Sequence, residues 1–231
     1  MTMSAETILQ NLDAVRVERA TRAANADLAE RVISIKRYQQ ARFAHTYADL
    51  LSHPRYAGAS HFFLDDLYGP GDFTQRDTQF ERIVPALVRL FPHEVVLTVK
   101  ALTALHALSE RLDTEMARHV GVAPVTAASY VDAWRQTGQP GSRDQQVELM
   151  LKVGLALDVY TRRPLLRHSL RAMRLPAHAA GLAALQTFLE RGFDTFRAMH
   201  GAVSFLSQIE RRERHMVAAL FGSGPAPDLP A

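Results

Sequence analysis

HEVVLTVKALTALHALSERLDTEMARHV, residues 93–120, is the stretch that decides the fold of this chain. Its apolar residues recur at every third or fourth position, which is the period of an amphipathic α-helix. No glycine or proline interrupts the stretch, and Gly121 follows at the position where helix C-termini favour glycine. We therefore predict one long helix whose buried stripe consists of Val99, Leu102, Leu105, Leu112 and Met116.

The same period recurs on both sides of this stretch and predicts further helices. Pro85 is expected to kink one of them or to split it into two turns, and Gly192 or Gly201 is expected to bend the last. The expected helices cover residues 4–25, 27–51, 60–68, 80–91, 125–136, 142–160, 164–175 and a final element from 177 or 182 to 221. Alternating apolar and polar runs typical of strands are absent from the sequence. We predict an all-α, single-domain bundle of about eight or nine helices with a long C-terminal helix.

Three segments are expected along the chain. Residues 1–25 are predicted to form an N-terminal helical arm, because their apolar stripe is short and terminal segments are commonly mobile. Residues 26–221 are predicted to form the bundle domain. Residues 222–231 are rich in glycine, proline and alanine, which predicts a disordered tail.

Composition limits the classes of function. Lys and Arg number 27 and Asp and Glu number 24, so the net charge of +3 is too small to indicate a dedicated nucleic-acid binder. The absence of cysteine excludes disulfides and thiolate chemistry. The sequence shows neither a signal peptide nor the ~20 apolar residues that a spanning helix requires. We expect a cytoplasmic protein without a membrane partner.

A dense motif precedes the deciding helix. It reads HFFLDDLYGP over residues 61–70, continues with DF at 72–73 and RD at 76–77, and leads into VPALVRLFP at 84–92. Together with LHALSERLD at 105–113, this order resembles an uncharacterised bacterial family. The resemblance implies an all-helical bacterial protein of unknown function, and it carries no activity, cofactor or catalytic residue.

The motif also supplies ligand-binding candidates beside its glycine-rich turn. These are Asp66, Tyr68, Arg76 and Asp77. Arg76 could bind an anionic ligand through two parallel hydrogen bonds, which is the geometry that guanidinium groups favour. The alternative is structural: Asp77 would cap the next helix, and Arg76 would pair with Asp66 to hold the loop.

Two further candidates, His106 and Asp113, lie on the deciding helix with Ser109 between them. Asp113 falls on or beside the apolar stripe, where a carboxylate must find a partner. We expect Tyr68 and Arg76 to be the partners, and we expect Asp113→Asn to destabilise the fold. The same residues could instead wall a polar pocket for a small ligand.

A run of arginines lies between Asp158 and Glu190, an interval that contains no acidic residue. Helical spacing places the anion-binding candidates on one face; they are Arg163, Arg167, Arg171 and Arg174. The alternative is a solvated face whose charges pair with carboxylates of neighbouring helices, which is the usual structure of a charge run.

The sequence indicates no metal and no cofactor, because it contains neither Glu-x-x-His nor His-Glu-x-x-His. The leading hypothesis is a non-enzymatic protein-interaction or regulatory module, a homodimer through its long terminal helices. The alternative is a helical small-ligand-binding protein or enzyme, with its pocket near Tyr68, Arg76, His106 and Asp113. A DNA-binding regulator ranks third, because the helix after Pro124 lacks base-reading side chains in its first turns.

Overall fold

The computed structural model describes residues 3–67, 71, 73–121, 124–222, 224 and 227–230. Over these residues the chain is helical and contains no strand, and no helix is both long and apolar enough to cross a bilayer. Besides a π-helical turn at Phe63–Leu67, the helices are α1 (Met3–Ala23), α2 (Ala26–Thr46), α3 (Ala48–Ser52), α4 (Ala57–Phe62), α5 (Thr74–Leu90), α6 (His93–Ala117), α7 (Ala127–Thr137), α8 (Pro140–Thr161), α9 (Pro164–Ala172), α10 (Arg174–Ala179), α11 (Ala183–Ala198) and α12 (Val203–Phe221).

The all-α prediction is confirmed, but the number of helices is higher than eight or nine. Among the described residues there are twelve α-helices, and three of them (α3, α4 and α10) have only five or six residues. Of these three, α4 and the π-helical turn after it lie where the sequence predicts one short helix, residues 60–68, whereas α3 and α10 are too short to show a repeat of their own. The helix predicted from residues 93–120 is α6, the longest in the bundle at 25 residues.

The prediction of one long C-terminal helix is wrong, because two helices, α11 and α12, occupy residues 183–221. The chain leaves helical geometry at His200 and Gly201, whose φ values are +51° and +117°. The buried Asp158 carboxylate accepts a hydrogen bond from the Ala202 backbone N–H at 2.8 Å, and Arg55 donates to the Gly201 carbonyl at 2.9 Å. These side chains satisfy the backbone groups that the break exposes, so the turn is stable.

Helix α5 differs from its prediction in two ways. It begins at Thr74, so Asp77 lies inside its first turns and does not cap it. It also continues through Pro85 without ending, because Pro85 lies on the exposed face. There, the carbonyl that loses its intrahelical hydrogen bond can be hydrated, which reduces the cost of the proline.

The core is organised around α6, which packs against α1, α2 and α8, while α8 also packs against α12. The α8–α12 contact is close because Gly154 faces Leu206: a Cβ at Gly154 would lie 2.6 Å from a Leu206 methyl carbon. The arrangement places the middle of α6 at the centre of the bundle. Residues around His106 and Glu110 are therefore surrounded by side chains of several other helices.

Helix α1, the predicted arm, packs along α6 and buries Ile8, Leu12 and Val15. Near the other terminus, the Tyr38 hydroxyl donates to the carbonyl of Pro230 at 2.9 Å. The boundaries of the arm and the disorder of the tail remain predictions. For the site, the consequence is that α1 supplies side chains to the centre of the bundle.

Candidate functional site

Glu110 lies at the centre of a buried ion-pair network on α6. Its side chain is 5% exposed, accepts a hydrogen bond from Lys36 Nζ at 2.7 Å and pairs with the Arg22 guanidinium. Arg22 also donates to the Thr114 hydroxyl at 2.8 Å. Burial alone would raise the pKa of Glu110, but the charges of Lys36 and Arg22 outweigh it and lower the pKa to about 2. Glu110 is thus a fixed anion that joins α1, α2 and α6.

A second group of charges surrounds Asp77 of α5. Its Oδ2 atom accepts hydrogen bonds from His106 Nε2 at 2.9 Å and from the Arg19 guanidinium at 2.8 Å. Arg76 Nε lies 3.2 Å from the other carboxylate oxygen. Burial would raise the pKa of Asp77, but the His106 hydrogen bond and the surrounding positive charges lower it to about 2. Two candidates, Asp77 and His106, are therefore in direct contact.

Asp113 is buried, at 7% exposure, but its partners differ from those expected. It accepts a hydrogen bond from Gln39 at 3.0 Å and lies 3.9 Å from Lys36, both on α2. Arg76 instead contacts Asp77, which corrects the expected Asp113–Arg76 pair. Burial raises the pKa of Asp113, because the distant ammonium of Lys36 compensates its charge only in part.

Arg76 is held at the edge of the site by two aromatic rings. Its guanidinium carbon lies 4.3 Å from the centre of the Phe73 ring and 4.6 Å from that of Phe188. It donates to the main-chain carbonyl of Asp66 at 3.0 Å, whereas the Asp66 side chain pairs with Arg191. The pairing of Arg76 with the Asp66 carboxylate is therefore replaced by a backbone contact. Tyr68 lies outside the described residues.

A cavity of about 460 Å³ lies between α5, α6, α8, α9 and α11. Its wall is almost entirely aliphatic and aromatic. Three of its polar side chains, Arg76, Asp77 and His106, lie together because Asp77 contacts the other two. We call this space the apolar cavity. The residues that line it include Leu87, Val99, Leu102, Leu157, Leu170 and Phe188.

A smaller space of about 80 Å³, which we call the polar chamber, lies on the other side of His106. His106, Ser109, Leu67 and Met150 line both spaces, so the two adjoin at this point. Four buried polar atoms of residues lining the chamber have no hydrogen-bond partner among the described residues; they are Arg42 Nε, Tyr130 Oη, Trp134 Nε1 and Arg143 Nε.

Arg143 differs from the other buried cations of the network. It is 4% exposed, and its guanidinium donates to the Gln146 amide oxygen at 2.9 Å and to Met116 Sδ at 3.0 Å. The guanidinium carbon also lies 3.8 Å from the centre of the Trp134 ring. All of these partners are uncharged, and no carboxylate of the described residues lies within 4 Å. Burial accordingly lowers the pKa of Arg143.

The arginine run lies on and around α9, remote from the polar chamber. Three of its four members pair with carboxylates: Arg163 with Glu94 at 2.9 Å, Arg167 with Asp194 at 3.2 Å and Arg174 with Glu190 at 2.5 Å. These pairs are what the alternative to anion binding predicts, namely a solvated face whose arginines pair with carboxylates of neighbouring helices. Anion binding by Arg163, Arg167, Arg171 and Arg174 remains a prediction.

Sequence reasoning missed Glu110 and Arg143. A signal for Glu110 was available, because it lies four residues after His106 and three before Asp113, and this spacing places all three on one helix face. No such signal exists for Arg143. Arg143 is unusual because its neighbours are uncharged, and these neighbours, Met116, Trp134 and Gln146, come from α6, α7 and α8.

The fold and the site together define a class: an all-helical bundle with a buried ionic network beside two adjoining cavities. A family of proteins matches residues 18–227 of the chain, and its description is Domain of unknown function (DUF8198). The chain therefore belongs to this family. No curated protein and no solved structure matches the chain with significant similarity.

Proposed function

We propose that this protein binds an elongated apolar small molecule in the apolar cavity. The observation that carries the proposal is the 460 Å³ volume, which falls in the range of ~300–1,000 Å³ typical of ligand sites. The wall also has the composition of such sites: many apolar side chains and a few polar groups, here Arg76, Asp77 and His106, that can orient a ligand.

The size of the cavity supports a binding role over a packing defect. The cavity opens to solvent beside Leu90, Phe91 and Met173, which line it and are about half exposed or more. An unoccupied space with such a wall leaves apolar surface in contact with water, which is unfavourable. Selection for a ligand explains why five helices leave this space between them.

Helix α9 is the wall that we expect to open. None of its residues is buried, although Leu166 and Leu170 face the cavity. Leu165 is 80% exposed and Leu175, on α10, is 82% exposed, so this part of the wall is held by few apolar contacts. Elements with few buried contacts open at the lowest free energy, which provides a route for the ligand.

The first test uses 1-decanol, an uncharged ten-carbon chain, in isothermal titration calorimetry with the full chain. We expect saturable binding with a negative heat-capacity change, the signature of apolar burial. Leu102→Trp places a larger side chain in the cavity and is expected to weaken binding at least ~10-fold. Leu97→Trp is the matched control: Leu97 lies on the same helix, α6, but is 38% exposed and does not line the cavity.

Absence of decanol binding by the unmodified protein would contradict the proposed function. Equal loss of binding in Leu102→Trp and Leu97→Trp would also contradict it, because the effect would then come from α6 in general. Far-ultraviolet circular dichroism of both variants establishes that each retains its helical content.

A protein-interaction role, as a homodimer, is the second candidate. It is favoured by a set of large apolar side chains that are about half exposed or more: Leu90, Phe91, Leu165, Met173 and Leu175. Exposed apolar groups of this size commonly mark interaction surfaces. Light scattering after size-exclusion chromatography should give a mass near 51 kDa, twice the 25.7 kDa of one chain, if the homodimer forms. A mass of one chain at ~100 µM protein would exclude a stable dimer.

The cellular setting is part of the same proposal. The motif at residues 61–92 supports a bacterial source, and a chain without cysteine fits the reducing cytoplasm. In that setting an apolar metabolite requires a protein carrier or sensor, because water solvates such molecules poorly.

A further inference from the structure

The polar chamber contains a buried cation, Arg143, that forms no ion pair with any carboxylate in the part of the chain that the structure describes. A buried charge is stable only when it is paired and hydrogen-bonded, and a lone guanidinium in the interior carries a large desolvation cost. Lys36 and Arg42 line the same chamber, but each has a carboxylate partner at 2.7 Å, Glu110 and Glu213 respectively. Arg143 has only neutral partners among the described residues.

Asp113 acts on Arg143 only through space and forms no ion pair with it among the described residues. It lies more than 4 Å from Arg143, and Gln39 and Lys36 hold its carboxylate on the α2 side. Burial raises its pKa, which means that its anionic form is itself poorly stabilised at this position. The positive charge of Arg143 therefore remains available to a group that enters the chamber.

The chamber also offers hydrogen-bond donors beyond the charge. Arg143 Nε, Tyr130 Oη, Trp134 Nε1 and Arg42 Nε are buried and have no partner within the described ranges, and each can donate one hydrogen bond. A carboxylate has two oxygens with about four acceptor positions and one negative charge. Its charge matches one unpaired guanidinium, and its acceptors match the number of free donors.

The polar chamber adjoins the apolar cavity, so a ligand in the cavity can reach these donors. His106 and Ser109 belong to the walls of both spaces, so a group in the polar chamber can be continuous with a chain in the apolar cavity. The polar chamber has about 80 Å³, enough for a small head group but not for a chain. Together, a small polar space and a larger apolar space match a ligand with a polar head group and an apolar chain.

Building on the proposed function, we propose that the ligand is an amphiphilic acid: an apolar chain in the apolar cavity with a single carboxylate head in the polar chamber. Arg143 neutralises the head, and Tyr130 and Trp134 donate hydrogen bonds to it. His106, which contacts Asp77, lies at the junction between the head and the chain.

The test compares decanoate with 1-decanol, which have the same chain and differ in the head group. We expect decanoate to bind at least ~10-fold more tightly, because a charge-assisted hydrogen bond forms only with the acid. Trp134 is the single tryptophan of the chain and lines the chamber, so its intrinsic fluorescence reports on the head group directly. Decanoate should change the emission of Trp134, and 1-decanol should change it far less.

Arg143→Met removes the cation and keeps an apolar side chain of similar length. We expect decanoate affinity to fall by ~30-fold, the size of a lost hydrogen bond to a charged group, while decanol affinity changes less than ~3-fold. The melting temperature of the ligand-free variant should stay the same or rise, because an unpaired buried charge is removed. A purely structural arginine would lower it.

Tyr130→Phe is the second variant, because it deletes only the unpaired hydroxyl of a side chain with no exposed surface. Its fold should be unchanged, and decanoate affinity should fall ~5-fold with decanol affinity preserved. Decyl phosphate, which is larger and carries ≈ −1.5 to −2 charges, should bind more weakly than decanoate. Tighter binding of the phosphate would overturn the assignment of a carboxylate head.

The two proposals fail in different ways. If neither ligand binds the unmodified protein, the proposed function is wrong. If decanol binds but decanoate binds no better, or if Arg143→Met weakens both equally, the apolar cavity remains a ligand site and only the assignment of the acid head is wrong.

Discussion

Glu110→Gln is expected to lower the free energy of unfolding by ~3–5 kcal/mol, the cost of removing one partner from a buried ion pair. The glutamine would leave Arg22 and Lys36 buried without their anion, and Arg22 is only 8% exposed. For a chain of this size the melting temperature should fall by roughly 10 °C. Urea unfolding followed by circular dichroism at pH 7 measures the free energy directly.

Asp113→Asn is the matched control, because Asp113 is also a buried carboxylate on α6, three residues further on. The pKa of Asp113 is raised whereas that of Glu110 is lowered, so ionisation of Asp113 disfavours the folded state and its charge is not a source of stability. We expect Asp113→Asn to change stability by less than ~1 kcal/mol. The sequence alone predicts that Asp113→Asn destabilises the fold, and the contacts of Asp113 change that expectation to a small effect. Equal destabilisation by both substitutions would contradict the assignment of partners.

A helix could be predicted wherever its own segment of sequence shows a clear period of apolar residues. Helix α6 shows seven turns of periodic apolar residues without glycine or proline, so both its existence and its ends were predictable to within a few residues. The break before α12 could be suspected from Gly201 alone. It could not be distinguished from a bend, because the groups that stabilise it, Asp158 and Arg55, lie 44 and 146 residues away in the chain.

The site was predictable only in part, for the same physical reason. The position of Asp113 on the apolar stripe indicates a buried carboxylate, and it is buried. Its partners depend on how α2 and α5 pack on α6, which one helix cannot specify. The apolar cavity is still less predictable, since it is a space left between five helices and belongs to no single segment.

The ionic network and the cavities are connected in a way that bears on the proposed function. His106 contacts Asp77 and lines both spaces, while Glu110 lies one turn further along α6 and lines the polar chamber. The strong pairs around Asp77 and Glu110 hold α1, α2 and α5 against α6. Helix α9 also lines the apolar cavity, but it has no buried residue and is held by ion pairs of partly exposed side chains, so we expect it to open before α5 or α6.

Acid is expected to unfold the protein through Asp77 and Glu110. Both have a folded pKa of about 2, below their ordinary values of 3.8 and 4.5, so the unfolded chain takes up protons first as the pH falls. Their stabilisation is complete above about pH 5 and is lost as the pH approaches the folded value. Together they should remove ~3 kcal/mol by pH 3 and ~5 kcal/mol by pH 2, relative to pH 7.

Asp113 should act in the opposite direction, because its folded pKa is raised. Protonation of Asp113 stabilises the folded state as the pH falls through that value, which offsets part of the loss. The Glu110→Gln variant separates the contributions: it lacks the larger of the two acid-sensitive groups, so its stability should fall by ~1 kcal/mol between pH 7 and pH 3 through Asp77. The curves of the variant and the unmodified protein should therefore converge at low pH. Parallel curves from pH 5 to pH 3 would show that Glu110 is not held as an anion by Arg22 and Lys36.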